Sequence, residues 1–134
     1  MMGKKVVLDN EHITVWYHPE KKIIHHQFHK FTCGKDLQDG LSQGAAALEK
    51  NGAQKWLSDD RKNTVIGKED MEWTATVWRP RVIKAGWKYW ALVLPEKIIG
   101  QMVMKRIVKE YADTGVTVKL FSDPDEAMKW LENQ

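Results

Sequence analysis

WKYWALVL, running from Trp87 to Leu94, is the stretch on which the fold turns. Apart from Lys88 it is nearly continuous in apolar character. A half-exposed strand alternates apolar and polar residues, whereas a strand covered on both faces does not. The second condition is that of a central strand in a parallel sheet. Downstream, Pro95-Glu96 predicts the opening of a helix that carries Ile99, Val103, Ile107 and Tyr111 near one stripe and ends at Thr114-Gly115. Val116, Val118 and Leu120 alternate as the next strand. Ser122-Asp123-Pro124-Asp125-Glu126 then combines a capping residue, a proline and two acids, the chemistry of a helix start. Ala127, Trp130 and Leu131 form the inner face of that last helix.

Upstream the period changes twice. Lys68-Glu69-Asp70 begins a helix with Met71, Ala75, Trp78, Val82 and Ala85 along one side, and Pro80 inside it predicts a kink or a break. Lys55 to Asp59 reads as a short strand followed by a polar loop, Asp60 to Thr64. Leu37, Leu41, Ala45 and Leu48 share a helical face that stops at Asn51-Gly52. Before it, Ile13, Val15 and Tyr17 alternate with polar or amphipathic neighbours, and a second run starts at Ile23. The turn His18-Pro19-Glu20-Lys21 between them makes a β-hairpin, with residues 5–8 as a further short strand. The predicted fold class is α/β, a single mixed sheet in which an N-terminal antiparallel hairpin joins parallel strands with helical crossovers.

The bulk numbers fit one domain over residues 1–134. A hydrophobic fraction of 43% with 29% charged residues excludes both a disordered chain and a membrane protein. The net charge of +3 is small, and Lys and Arg are interleaved with Asp and Glu, so nucleic acid is not an expected partner. The N-terminus has no signal-peptide apolar core, and no stretch reaches the roughly 18 apolar residues of a transmembrane segment. The lone Cys33 allows no intrachain disulfide and suits a reducing compartment; the expected location is cytoplasmic.

In an open α/β sheet, ligands gather beyond the carboxyl ends of the parallel strands. Asp59, Asp60 and Arg61 end one strand, Glu96 follows the next, and Asp123 follows the last. These acids read as helix caps before they read as ligands for a divalent cation, and no metal or cofactor is expected. The five histidines follow strand alternation: His25 and His29 share a face with Gln27, while His26 points the other way. That spacing matches no zinc pattern. Cys33 lies near the start of the first helix with His29 as the nearest base, and an ordinary thiol is the expected reading. Seven tryptophans are the anomaly of the composition. Trp16, Trp73 and Trp87 are expected either to line an apolar pocket or dimer patch or to fill the core.

The element order, together with several local phrases, resembles the STAS-like family. These are the sulphate-transporter and anti-sigma-factor-antagonist domains, especially the SpoIIAA-like bacterial proteins and sequences of STAS/CRAL-TRIO type. The phrases are Trp56-Leu57-Ser58-Asp59, the helix containing Trp73 and Pro80, Ala91-Leu92-Val93-Leu94-Pro95, and Leu120-Phe121-Ser122-Asp123 leading to Ala127 and Trp130-Leu131. The resemblance implies a non-catalytic regulatory module that binds a protein partner or its own copy as a homodimer. It also implies a phosphorylatable serine at the matching stretch, 59–64, where this chain has no Asp-Ser pair and Thr64 is the nearest hydroxyl. Two alternatives accompany it: a domain for a small apolar ligand or lipid, and an enzyme or phosphoprotein using the rim at Asp59 and Asp60.

Overall fold

The computed structural model describes residues 3–134. Six strands form one sheet in the order of the sequence: β1 (Lys5–Asp9), β2 (Ile13–His18), β3 (Ile23–Phe28), β4 (Lys55–Asp59), β5 (Tyr89–Val93) and β6 (Thr117–Phe121). β1, β2 and β3 pair antiparallel, and β3 to β6 pair parallel. The crossovers are α1 (Gly34–Asn51), α2 (Lys68–Trp73) with α3 (Arg79–Lys84), and α4 (Ile98–Lys109); α5 (Pro124–Glu132) comes last. This is the mixed α/β sheet that the alternation of periods predicts.

When each parallel strand is laid beside its predecessor, right-handed crossovers all fall on one face. The apolar clusters have this arrangement. Ile13, Val15, Ile24, Phe28, Trp56, Trp90 and Leu92 face a core closed by Leu37, Leu41 and Leu48 of α1, Trp78 and Val82, and Met104 and Ile107 of α4. The opposite face packs Ile23, Leu57, Ala91 and Val93 beneath Ala127 and Leu131 of α5. Burial on both faces explains the unbroken apolar run of β5.

α1 approaches the sheet closely because it carries glycine where the sheet side chains are largest: Gly40 lies over Ile13 and Gly44 over Trp56. Its N-cap, Cys33, supplies no side-chain acceptor. The first turn is capped instead by the buried Asp70, whose two carboxylate oxygens accept from Gly34 N–H at 2.9 and 3.2 Å. That contact ties α2 to α1 and satisfies an orphan amide.

Pro80 neither stops the helix nor bends it in isolation. It takes the first turn of α3, and the residues before it, Thr74–Trp78, widen into a π turn. Proline offers no N–H to the preceding turn, and the wider i→i+5 spacing absorbs that loss. Three expected boundaries differ. The β5 strand starts at Tyr89, with Trp87 outside it; α4 starts at Ile98, beyond Pro95-Glu96; and residues 110–115 form turns, not a last helical turn.

Candidate functional site

The register of the parallel strands sets side chains in rows on the helix-covered face. Ile24, Trp56, Trp90 and Val118 align across β3 to β6. Two residues further along lie His26, Ser58, Leu92 and Leu120. Each indole in the first row reaches diagonally to the polar residue of the second. Trp56 Nε1 donates to His26 Nδ1 at 2.9 Å, and Trp90 Nε1 donates to Ser58 Oγ at 2.9 Å. The same step repeats on consecutive strand pairs, so pairing geometry alone places both bonds.

A nitrogen that accepts from an indole carries the lone pair, so His26 bears its hydrogen on Nε2. That N–H donates to Asp60 Oδ1 at 2.8 Å. Asp60 sits just past the end of β4, its backbone N–H bonded to Val93 O at 3.0 Å. A Trp56–His26–Asp60 chain therefore fixes the carboxylate. The second oxygen of Asp60 accepts no hydrogen bond from the described residues. The adjoining loop is fastened by buried Asn63, whose side-chain oxygen accepts from Thr32 N–H at 3.0 Å.

Asp60 and Ser58 open into a cavity of about 400 Å³ that lies between α4 and the layer of α1 to α3. Its apolar wall includes Phe28, Leu41, Met71, Trp78, Trp90 and Met104. Trp78 and Ala75 come from the π turn, a distortion that recurs at functional sites. Lys68, Arg79 and Arg106 also line the space, with Glu72 and Glu110. Arg79 Nη2 donates to Glu110 at 2.9 Å, and the guanidinium lies 4.4 Å over the Tyr111 ring. Its Nε is buried and has no hydrogen-bond partner among the described residues. Burial opposes the Arg79 charge, but Tyr111 and Glu110 outweigh it and hold the group above its ordinary range. Burial also raises the Tyr111 hydroxyl, which stays a phenol.

The predicted rim residues divide between two places. Asp59 is buried and held by Arg61 in a two-point pair, Nε to Oδ1 and Nη2 to Oδ2, both at 2.9 Å. That bond raises the Arg61 guanidinium above its usual value against the effect of burial. Arg61 and Glu96 border a second, shallower notch with Gln101 and Ser122, where Lys62 stands 3.5 Å from Glu96. Asp123 caps α5, accepting from Asp125 N–H at 3.2 Å. Thr64 is half-buried, and its backbone carbonyl sits against Gly100 of α4. Asp60 alone of this set turns into the cavity. Among the described residues no three His, Cys, Asp or Glu side chains stand where they would hold a metal ion.

The aromatic expectations separate in the same way. Trp87 is core: it is buried, donates Nε1 to Tyr89 O at 3.0 Å, and meets Trp56, Trp78, Trp90 and Tyr111 at ring distances of 5.3 to 6.3 Å. Trp73 is half-buried against that core. Trp16 lies on the other face of the hairpin, 4.6 Å from the His25 ring with Lys4 Nζ 4.7 Å above it. The tryptophans of the cavity are Trp78 and Trp90. The sequence does carry one pointer to this site: alternation sends His26, a polar residue, to the same side as Ile24 and Phe28. Its partner Asp60 lies 34 residues further on, and nothing in the spacing joins them. No protein-family model matches this chain, and comparison with curated proteins and with solved structures finds no match.

Proposed function

We propose that this protein binds a small, mostly apolar ligand in the cavity beneath α4. The observation that supports this most strongly is the combination of an aromatic-walled space of about 400 Å³ with one under-used carboxylate fixed at its base. Close-packed interiors leave few voids larger than a water molecule, whereas ligand pockets span roughly 300–1,000 Å³ with a few placed polar groups. The Trp56–His26 bond holds Asp60 before any ligand arrives, which lowers the ordering cost of binding.

The seven indole N–H signals give a direct test in an ¹⁵N-labelled sample. Titration with 4-methylphenol is expected to shift the Trp78 and Trp90 signals with a dissociation constant of about a millimolar or tighter, given the efficiency of small ligands. Ala75→Phe, which fills the cavity from the π turn, is expected to abolish those shifts. The reading falls if 4-methylphenol leaves both signals unmoved and native mass spectrometry of freshly purified protein shows no bound molecule.

A protein-interaction role, which the STAS-like resemblance implies, has one observation in its favour. Ile98, Ile99 and Met102 on α4 are 74%, 61% and 61% exposed, a cluster of large apolar side chains facing solvent. Self-association through this patch predicts a dimer in light scattering that Ile99→Lys converts to monomer. A monomer at every concentration removes the homodimer reading.

A further inference from the structure

The placement of two polar groups at opposite ends of the cavity points to one chemical class of occupant, a step that rests on the binding reading above. At the sheet end, Asp60 has a carboxylate oxygen with no donor among the described residues. At the helix end, the Arg79 guanidinium lines the cavity, and among the described residues only its Nη2 is hydrogen-bonded, to Glu110. A carboxylate oxygen and a guanidinium ask for opposite things of a ligand, the one a donor and the other an acceptor. The charged side chains of the lining are evenly matched, Lys68, Arg79 and Arg106 against Asp60, Glu72 and Glu110, and Lys68 and Arg106 form no ion pair among the described residues. Between the two ends stand Trp78, Trp90, Met71 and Met104, which offer no charge at all.

We propose that the cavity takes a compact organic acid with an aryl or branched alkyl body, its carboxylate on Arg79 and a hydroxyl or N–H donor on the free oxygen of Asp60. The planar guanidinium suits a carboxylate through its several N–H donors, of which Glu110 engages only Nη2 among the described residues. Asp60, already accepting from His26, accepts a second hydrogen bond without moving. The aromatic edges between them fix the body by area and shape.

The test compares four probes on the intact protein at pH 7, read at the Trp78 and Trp90 indole signals: 3-(4-hydroxyphenyl)propanoate, its primary amide, 3-phenylpropanoate and 4-methylphenol. The hydroxyphenyl acid is expected to bind about ten-fold tighter than its amide, and several-fold tighter than the acid lacking the hydroxyl, since a charge-assisted bond outweighs a neutral one. Arg79→Gln is expected to erase the preference for acid over amide while 4-methylphenol still binds. Arg79→Lys, which keeps the charge, is expected to retain part of the preference; it serves if the glutamine variant does not fold. Asp60→Asn is expected to erase the preference for the hydroxyl. Equal or tighter binding of the amide, with 4-methylphenol still shifting the indoles, overturns the organic-acid assignment and leaves the binding site standing. Failure of all four probes overturns both.

Discussion

Replacing Gly44 with alanine is expected to destabilise the protein by about 3 kcal/mol, the upper part of the range for overpacking a close-packed core. An exposed helical glycine changed to alanine ordinarily gains up to about 1 kcal/mol from backbone entropy and helix propensity, so the sign here is a test of packing. A Cβ on Gly44 would lie 2.8 Å from Trp56 Cζ2 and closer still to Cη2. The indole has no room to yield. Trp56 is fully buried, its N–H is bound to His26, and Trp78 stands edge-on to it at 5.0 Å. Relief would cost the His26 bond and with it the restraint on Asp60. Gly40→Ala is the comparison, because its Cβ meets Ile13 Cδ1 at 2.8 Å and Cγ2 at 3.0 Å, a milder intrusion than the one on Trp56. Urea denaturation is expected to show Gly44→Ala well below Gly40→Ala, with its melting point lowered by roughly 10 °C from wild type. A Gly44→Ala protein as stable as wild type would mean that α1 does not sit where its glycines require.

Acidification is expected to weaken the fold by about 2 kcal/mol between pH 6.5 and 5, through the outer face of the hairpin. His25 is pushed down to about 3, first by burial and then by the nearby positive charge of His18, His26 and Lys4. His18 shifts in the same direction, again mainly through burial. The two rings stack at 5.3 Å, with His18 Nε2 3.1 Å from His25 Nδ1, a bond that needs one ring to be unprotonated at that nitrogen. The unfolded chain takes up a proton at His25 near the ordinary value of 6.5, and the folded chain does not until about 3. Stability is therefore complete above pH 6.5 and declines as pH falls toward 3. Staying above pH 5 keeps most carboxylates out of the measurement. Urea midpoints at pH 7, 6 and 5 are expected to drop for the wild type and to flatten for His25→Gln. An equal slope in the variant would assign the acid sensitivity elsewhere.

Much of this arrangement is written in local patterns. The apolar run at Tyr89–Val93 reads as a strand covered on both sides because helices do cover it on both sides. The alternation of Ile13, Val15 and Tyr17 reads as a hairpin strand because only one of its faces enters the main core. What fails to show is decided by contacts distant in sequence. Pro95-Glu96 carries the chemistry of a helix start, yet Glu96 N–H is bonded to Arg61 O and Gly100 is pressed against Thr64, so the helix begins only at Ile98. Pro80 announces a disturbance, and its form as a π turn depends on the core that Trp78 must reach. In the site, Asp59 and Asp60 are adjacent acids with the same intrinsic chemistry. The alternation of the chain sends one to Arg61 and the other to His26, and only the latter meets the cavity.

The sheet runs in the order of the chain, each strand lying against the one made just before it. The parallel partners are separated by roughly thirty residues, about the length of a single βαβ unit, so no strand waits for a distant segment to be inserted. During synthesis from the amino end, the open edge of the hairpin is expected to receive β4, then β5, then β6, in the order that they leave the ribosome. The cavity is then among the late products of assembly, because α4 roofs it only after the Trp56–His26–Asp60 floor has been laid.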